Sequence, residues 1–83
     1  MKKILIVEDE ESLSKFIQLE LEYEGYEPIV AFDGREGLAK ALSEKLDLIL
    51  LDLMLPGLNG IEVWRRIRSS KNDTPIIMYV LRD

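Results

Sequence analysis

The sequence contains no cysteine and no histidine. The first absence rules out disulfides and thiolate metal sites; the second removes Ser-His-Asp triads, imidazole ligands and the commonest general base. Any chemistry here runs on carboxylates, hydroxyls, lysine and backbone groups. Positive charge is also short: 11 Lys and Arg stand against 16 Asp and Glu, a formal net charge of -5. That balance lacks the basic footprint of a non-specific nucleic-acid binder, so no direct nucleic-acid contact is expected, and a metal ion or a basic partner surface fits better. No apolar run approaches the ~20 residues of a membrane span. The start, MKKILIVEDE, reaches its acids after four apolar residues. That is far short of the about 7–15 of a signal-peptide core, and a cytosolic protein is expected.

Proline (three) and glycine (five) are sparse, so the few that occur mark real punctuation. With 47% hydrophobic and 33% charged residues, the composition is that of an ordinary globular domain. A chain of 83 residues holds one domain, 1–83, and buries only roughly 60–65% of its unfolded surface. Support from outside the chain is therefore expected.

Ile4-Leu5-Ile6-Val7 is a wholly apolar run that stops at Glu8-Asp9-Glu10-Glu11, as a strand buried on both faces would. Leu13, Phe16, Ile17 and Leu21 recur at helical spacing after it, and Gly25 supplies a stop. Pro28 lacks the donor a central strand needs, which places the second strand at a sheet edge. Asp33-Gly34-Arg35-Glu36 has the form of a capping box before a helix with Leu38, Ala41 and Leu42 inward; Asn59-Gly60-Ile61-Glu62 repeats it before one lined by Ile61, Trp64 and Ile67. The expected strands cover residues 3–7, 27–31, 47–52 and 76–81, and the expected helices 11–24, 34–45 and 60–70. Strands alternating with helices in this way imply right-handed crossovers, a parallel sheet and an α/β fold with helices on both faces.

Within this pattern LILLDLMLPGLNG places a single carboxylate, Asp52, at the end of an apolar strand just before a Pro-Gly turn. An ionised carboxylate buried there needs a partner, a raised pKa, or an exit at the strand end. In parallel α/β sheets the carboxyl ends of the strands share one rim, where ligands bind. Glu8, Asp9 and Asp52 all fall on that rim, and adjacent first and third strands would bring them into one crevice. Oxygen ligands without His or Cys select a hard cation such as Mg²⁺. Glu10 and Glu11 have a simpler reading, as complements to the positive N-terminus of the next helix.

ILIVEDE, DLILLDLMLPGLNGIEVWRRIR and TPIIM together resemble the receiver domain of bacterial response regulators, the CheY-like family with a flavodoxin-like sheet, from Lys3 to about Met78. The resemblance implies strand order 2-1-3-4-5, of which 2-1-3-4 is present. It makes Asp52 the acceptor of a phosphoryl group from a histidine kinase, and Glu8, Asp9, Asp52 and the Met54 backbone carbonyl the Mg²⁺ ligands. It also matches Pro56, Gly57 and Gly60 to the family's turn residues, and it implies a signalling module rather than an enzyme.

Two features depart from that family. Where it carries a Thr or Ser at the end of strand four, this sequence has Val80, which cannot donate a hydrogen bond. Where it has a rim lysine after a fifth strand, this sequence ends at Asp83, and none of its six lysines falls on the rim. Impaired phosphorylation and no intact switch are the expectation. Strand four then becomes an apolar edge under a face that helix one leaves uncovered, so a homodimer pairing through that strand is expected to complete the fold. Tyr79-Val80-Leu81 is either a recoded tail or a deliberate redesign. The competing reading is a fragment or engineered half-fold whose main property is self-association; an aspartyl phosphatase is disfavoured because Met54 stands where such enzymes usually place a second acid.

Overall fold

The computed structural model describes residues 1–80, so Leu81, assigned above to the fourth strand, lies outside the described residues. The elements are β1 (Lys3–Val7), α1 (Glu11–Tyr23), β2 (Glu27–Ala31), α2 (Gly34–Ser43), β3 (Leu48–Asp52), α3 (Gly60–Ser69) and β4 (Ile76–Tyr79). The four strands form one sheet, parallel as the sequence pattern implied and in the order β2-β1-β3-β4 that the resemblance implied, with Pro28 on the β2 edge. Capping side chains start each helix. Glu10 accepts from the Ser12 and Leu13 N–H groups, Asp33 from Glu36 N–H at 2.8 Å, and Asn59 from Glu62 N–H at 3.0 Å. Glu36 reaches back to the Phe32 N–H at 2.8 Å, satisfying another donor that the helix leaves free.

Strand pleating divides the sheet into two unlike faces. Leu5, Ile49 and Ile76 stand in line across it, as do Val7, Leu51 and Met78. The first four of the inner members of these rows, Leu5, Val7, Ile49 and Leu51, are fully buried with Ala41 of α2 and Val63 and Ile67 of α3. Each such aliphatic side chain contributes about 1.5–3 kcal/mol by leaving water. On the opposite face α1 packs over β1 and β2, which buries Ile4 and Ile6, while among the described residues no helix packs comparably over β3 and β4 on that face. There Ile77 is 54% exposed.

Three of the expected inward stripes are rotated. Phe16 is exposed, because α1 presents Leu13, Ser14, Ile17 and Leu21 to the sheet and Phe16 lies about 110° around from the centre of that stripe. In α2 the small residues Gly34, Gly37 and Ala41 face inward beside Leu38, and Leu42 is exposed; Gly37 lies close enough to Val7 that a Cβ there would meet its side chain at 2.6 Å. In α3 the inward residues are Gly60, Val63 and Ile67, while Ile61 and Trp64 turn to the surface.

Beyond α3, Lys71 adopts φ 65°, the left-handed turn that often closes a helix. Arg68 donates to the Asn72 and Thr74 carbonyls, and Asn72 Nδ2 donates to the Ala41 carbonyl. The entry into β4 is thereby tied to α2.

Candidate functional site at the carboxyl rim

The parallel register of β1 with β3 runs from Ile4 opposite Leu48 to Val7 opposite Leu51. The next residue on each strand is an acid, so Glu8 and Asp52 emerge side by side. Asp52 in turn pairs with Tyr79 of β4. Alternation puts Glu8, Asp52 and Tyr79 on the same face, the one occupied by α1. Carboxylate oxygens of Glu8, Asp9 and Asp52 all come within 4.8 Å of one another. The three acids singled out in the sequence are therefore brought together, with Glu8 and Asp52 buried and Asp9 exposed.

Hydrogen bonds hold two of them in place. Glu8 Oε2 accepts from the Glu10 N–H at 2.9 Å, and Asp52 Oδ1 accepts from the Met54 N–H at 3.0 Å. The Tyr79 hydroxyl donates to Glu8 Oε1. No ion pair among the described residues involves Glu8, Asp9 or Asp52. Burial pushes the Glu8 carboxyl above the usual carboxylate range, opposed by its bonds from Tyr79 and Glu10 and assisted by the charges of Asp52 and Asp9. Burial likewise pushes the Tyr79 phenol far up, and the bond to Glu8 and the surrounding negative charge push it further. Tyr79 is a neutral donor in this setting.

The loop from Asp52 to α3 is shaped by glycine at two points. Gly57 follows Pro56 at φ 70°, a conformation that favours glycine. Gly60 opens α3 against the end of β3: a Cβ there would meet the Asp52 carbonyl oxygen and lie 2.7 Å from Leu53 Cα. Met54 is an exposed residue of this loop. Val80 follows β4 and lines, with Leu53, Met54, Asn59, Ile61 and Arg65, a groove of about 510 Å³ beside the acids.

Tyr79 is the rim residue that reading the sequence by motif passes over. The hydroxyl sought at position 80 is absent, and a different hydroxyl arrives from position 79. Alternation contains the signal: with Ile76 inward on the α2–α3 face, Tyr79 must share the opposite face with Asp52.

Three carboxylates with no nitrogen or sulfur donor form a set suited to a hard, oxygen-loving cation. A rim carboxylate is also a competent nucleophile toward a phosphoryl group. The relatives of the chain agree with this geometry. It is 59% identical over 78 residues to the response regulator ArlR of Staphylococcus saprophyticus, covering 94% of this chain and 35% of that protein. It is thus about a third of the length of the curated relatives it matches. Among solved structures, the response regulator TrrA of Thermotoga maritima, in complex with Mg²⁺-BeF, superposes with TM-score 0.93 at 41% identity, over 100% of this chain and 72% of that one. TrrA bound to the histidine kinase ThkA superposes with TM-score 0.90 over the same shares. The family model for the response regulator receiver domain matches residues 4–83, and the chain belongs to that family.

Proposed function

We propose that this chain is a phosphoacceptor module of a two-component system, acting in the cytosol, in which Asp52 accepts a phosphoryl group from a histidine kinase. Glu8, Asp9, Asp52 and the Met54 backbone carbonyl would hold Mg²⁺. The observation that carries this reading is the convergence of three carboxylates at the ends of β1 and β3. The same fold in TrrA, solved with Mg²⁺-BeF and with a histidine kinase, supports both the ion and the partner. Bound there, the cation supplies positive charge to offset that of the attacking and transferring oxygens. The chain's own contribution is to aim Asp52, through the Met54 N–H and the close seat of Gly60, and to shield it on one side by burial.

The same reading makes the 83-residue chain a slow acceptor. Val80 offers no hydroxyl, and no lysine among the described residues pairs with the acids. Each preorganised donor of that kind typically contributes a few kcal/mol to charge stabilisation. Incubation with a small phosphodonor and Mg²⁺, followed by intact mass, tests the proposal. A low-yield phosphoryl adduct that disappears in Asp52→Asn is expected; no adduct under any condition rejects the phosphoacceptor role.

A second reading, self-association through β4, is favoured by the exposed Ile77 on an unpaired strand edge beside the uncovered face. A two-fold pairing of β4 with β4 would extend the sheet and satisfy the backbone groups of that edge. Sedimentation at micromolar concentration should then give twice 9.6 kDa, with Val80→Lys dissociating the pair; a stable folded monomer defeats this reading.

A further inference from the structure

We propose that Tyr79 is a gate on the acidic cluster: its hydroxyl holds Glu8 in the metal-free protein and has to release it before a divalent cation can seat among Glu8, Asp9 and Asp52. This rests on the metal-binding reading above and adds to it the residue that sets the affinity.

The placement of Tyr79 is what supports a gate. Glu8 is 1% exposed, and its Oε2 is already held by the Glu10 N–H. Oε1 is the freer oxygen, and that is the atom to which Tyr79 donates. Tyr79 starts from β4 and Glu8 ends β1, so the side chain crosses the end of β3, where Asp52 sits between them. Among the described residues it is the one side-chain donor that bonds to any of the three acids. A buried carboxylate with no cation beside it needs a donor, and here the phenol fills that need.

A cation entering the cluster competes for the same lone pairs. It draws on Glu8 Oε1, the oxygen that accepts from the phenol, and the Tyr79 hydroxyl turns away from Glu8. The protein therefore exchanges one hydrogen bond for coordination each time the ion binds. Removing the hydroxyl removes that exchange and leaves the three acids in place.

Calorimetric titration with Mg²⁺ at one fixed, mildly alkaline pH tests the gate on wild type, Tyr79→Phe and Tyr79→Leu. Tyr79→Phe should bind Mg²⁺ about tenfold more tightly, the size expected for one hydrogen bond to a charged acceptor. Mg²⁺ should also change the near-ultraviolet tyrosine absorbance of wild type and not of Tyr79→Phe, because Tyr23 and Tyr26 lie at the surface away from the acids. Unchanged or weaker affinity in both variants, with wild type still binding, overturns the gate alone. No binding by any of the three proteins overturns the metal reading and the gate with it. Should Tyr79→Phe fail to fold, the wild-type absorbance decides: no change at saturating Mg²⁺ rejects the proposal.

Discussion

The two faces of the sheet are built on different terms. The face under α2 and α3 is closed over β1 and β3: Leu5, Val7, Ile49 and Leu51 have no solvent contact, and small helical residues such as Gly37 and Ala41 let the helices approach closely, while Met78 of β4 stays exposed. Among the described residues the face under α1 is covered by that helix over β1 and β2, and toward β4 it opens onto Ile77. The acidic cluster lies at the rim of the α1 face. The best-buried layer of the sheet lies on the other side, while the α1 face accepts buried carboxylates and exposed apolar surface.

Four substitutions break or sharpen this contrast. Ile49→Ala on the closed face should cost about 3 kcal/mol in denaturant unfolding, since it leaves a cavity in the best-packed layer. A cost near that of an exposed site would mean the two faces are not different in kind. Val80→Thr at the open rim should raise the rate of phosphorylation by a small phosphodonor about tenfold, by returning a hydroxyl donor to the position where the family carries one. A rate equal to wild type would show that Val80 does not limit the reaction.

Glu8→Gln should stabilise the metal-free protein by about 1 kcal/mol near neutral pH, because it removes a buried charge facing two others. The sign of its pH dependence follows from the raised Glu8 pKa. The folded chain holds that proton more tightly than the unfolded chain, so wild-type stability falls as pH rises from the ordinary carboxylate pKa through the raised one. The advantage of Glu8→Gln should appear across that window, persist above it and vanish below. Glu36 has the opposite sense: bonding from the Phe32 N–H and from Lys40 lowers its pKa, so its stabilisation is lost as pH falls through the lowered value. That contribution is common to both proteins and cancels in their difference. Equal melting temperatures of wild type and Glu8→Gln in chelator at every pH would refute the charge argument. The smallest effect belongs to Ile77→Thr, expected within about 0.5 kcal/mol in a monomer because the side chain is half in water already. A large loss there would point to a partner covering the open face.

The β2 edge and the strand-end acids Glu8, Asp9 and Asp52 were legible because each rests on a short-range signal: Pro28 lacks a donor, and apolar runs of four to five residues end in acids; the strand order came from the family resemblance. The helix faces were less legible. Phe16, Leu42, Ile61 and Trp64 are apolar and spaced for a helix, yet they point outward. Close packing on the sheet selected Ser14, Gly37, Ala41 and Val63 instead, and hydrophobicity alone does not report how near a helix must come. Tyr79 escaped for a different reason. A motif is read position by position, and a long side chain one residue before the expected hydroxyl brings its polar end to the acidic cluster from the other face of the strand.

Gly60 has a further consequence. Its amide bonds the Leu53 carbonyl at 3.2 Å, and its Cα rests against the backbone of Asp52 and Leu53 with no room for a methyl group. The first turn of α3 and the strand end that bears Asp52 are therefore seated backbone on backbone, with no side chain between them to absorb a shift. A displacement of the backbone at Asp52 would press directly on α3, whose outer surface carries Trp64, Arg65 and Arg66.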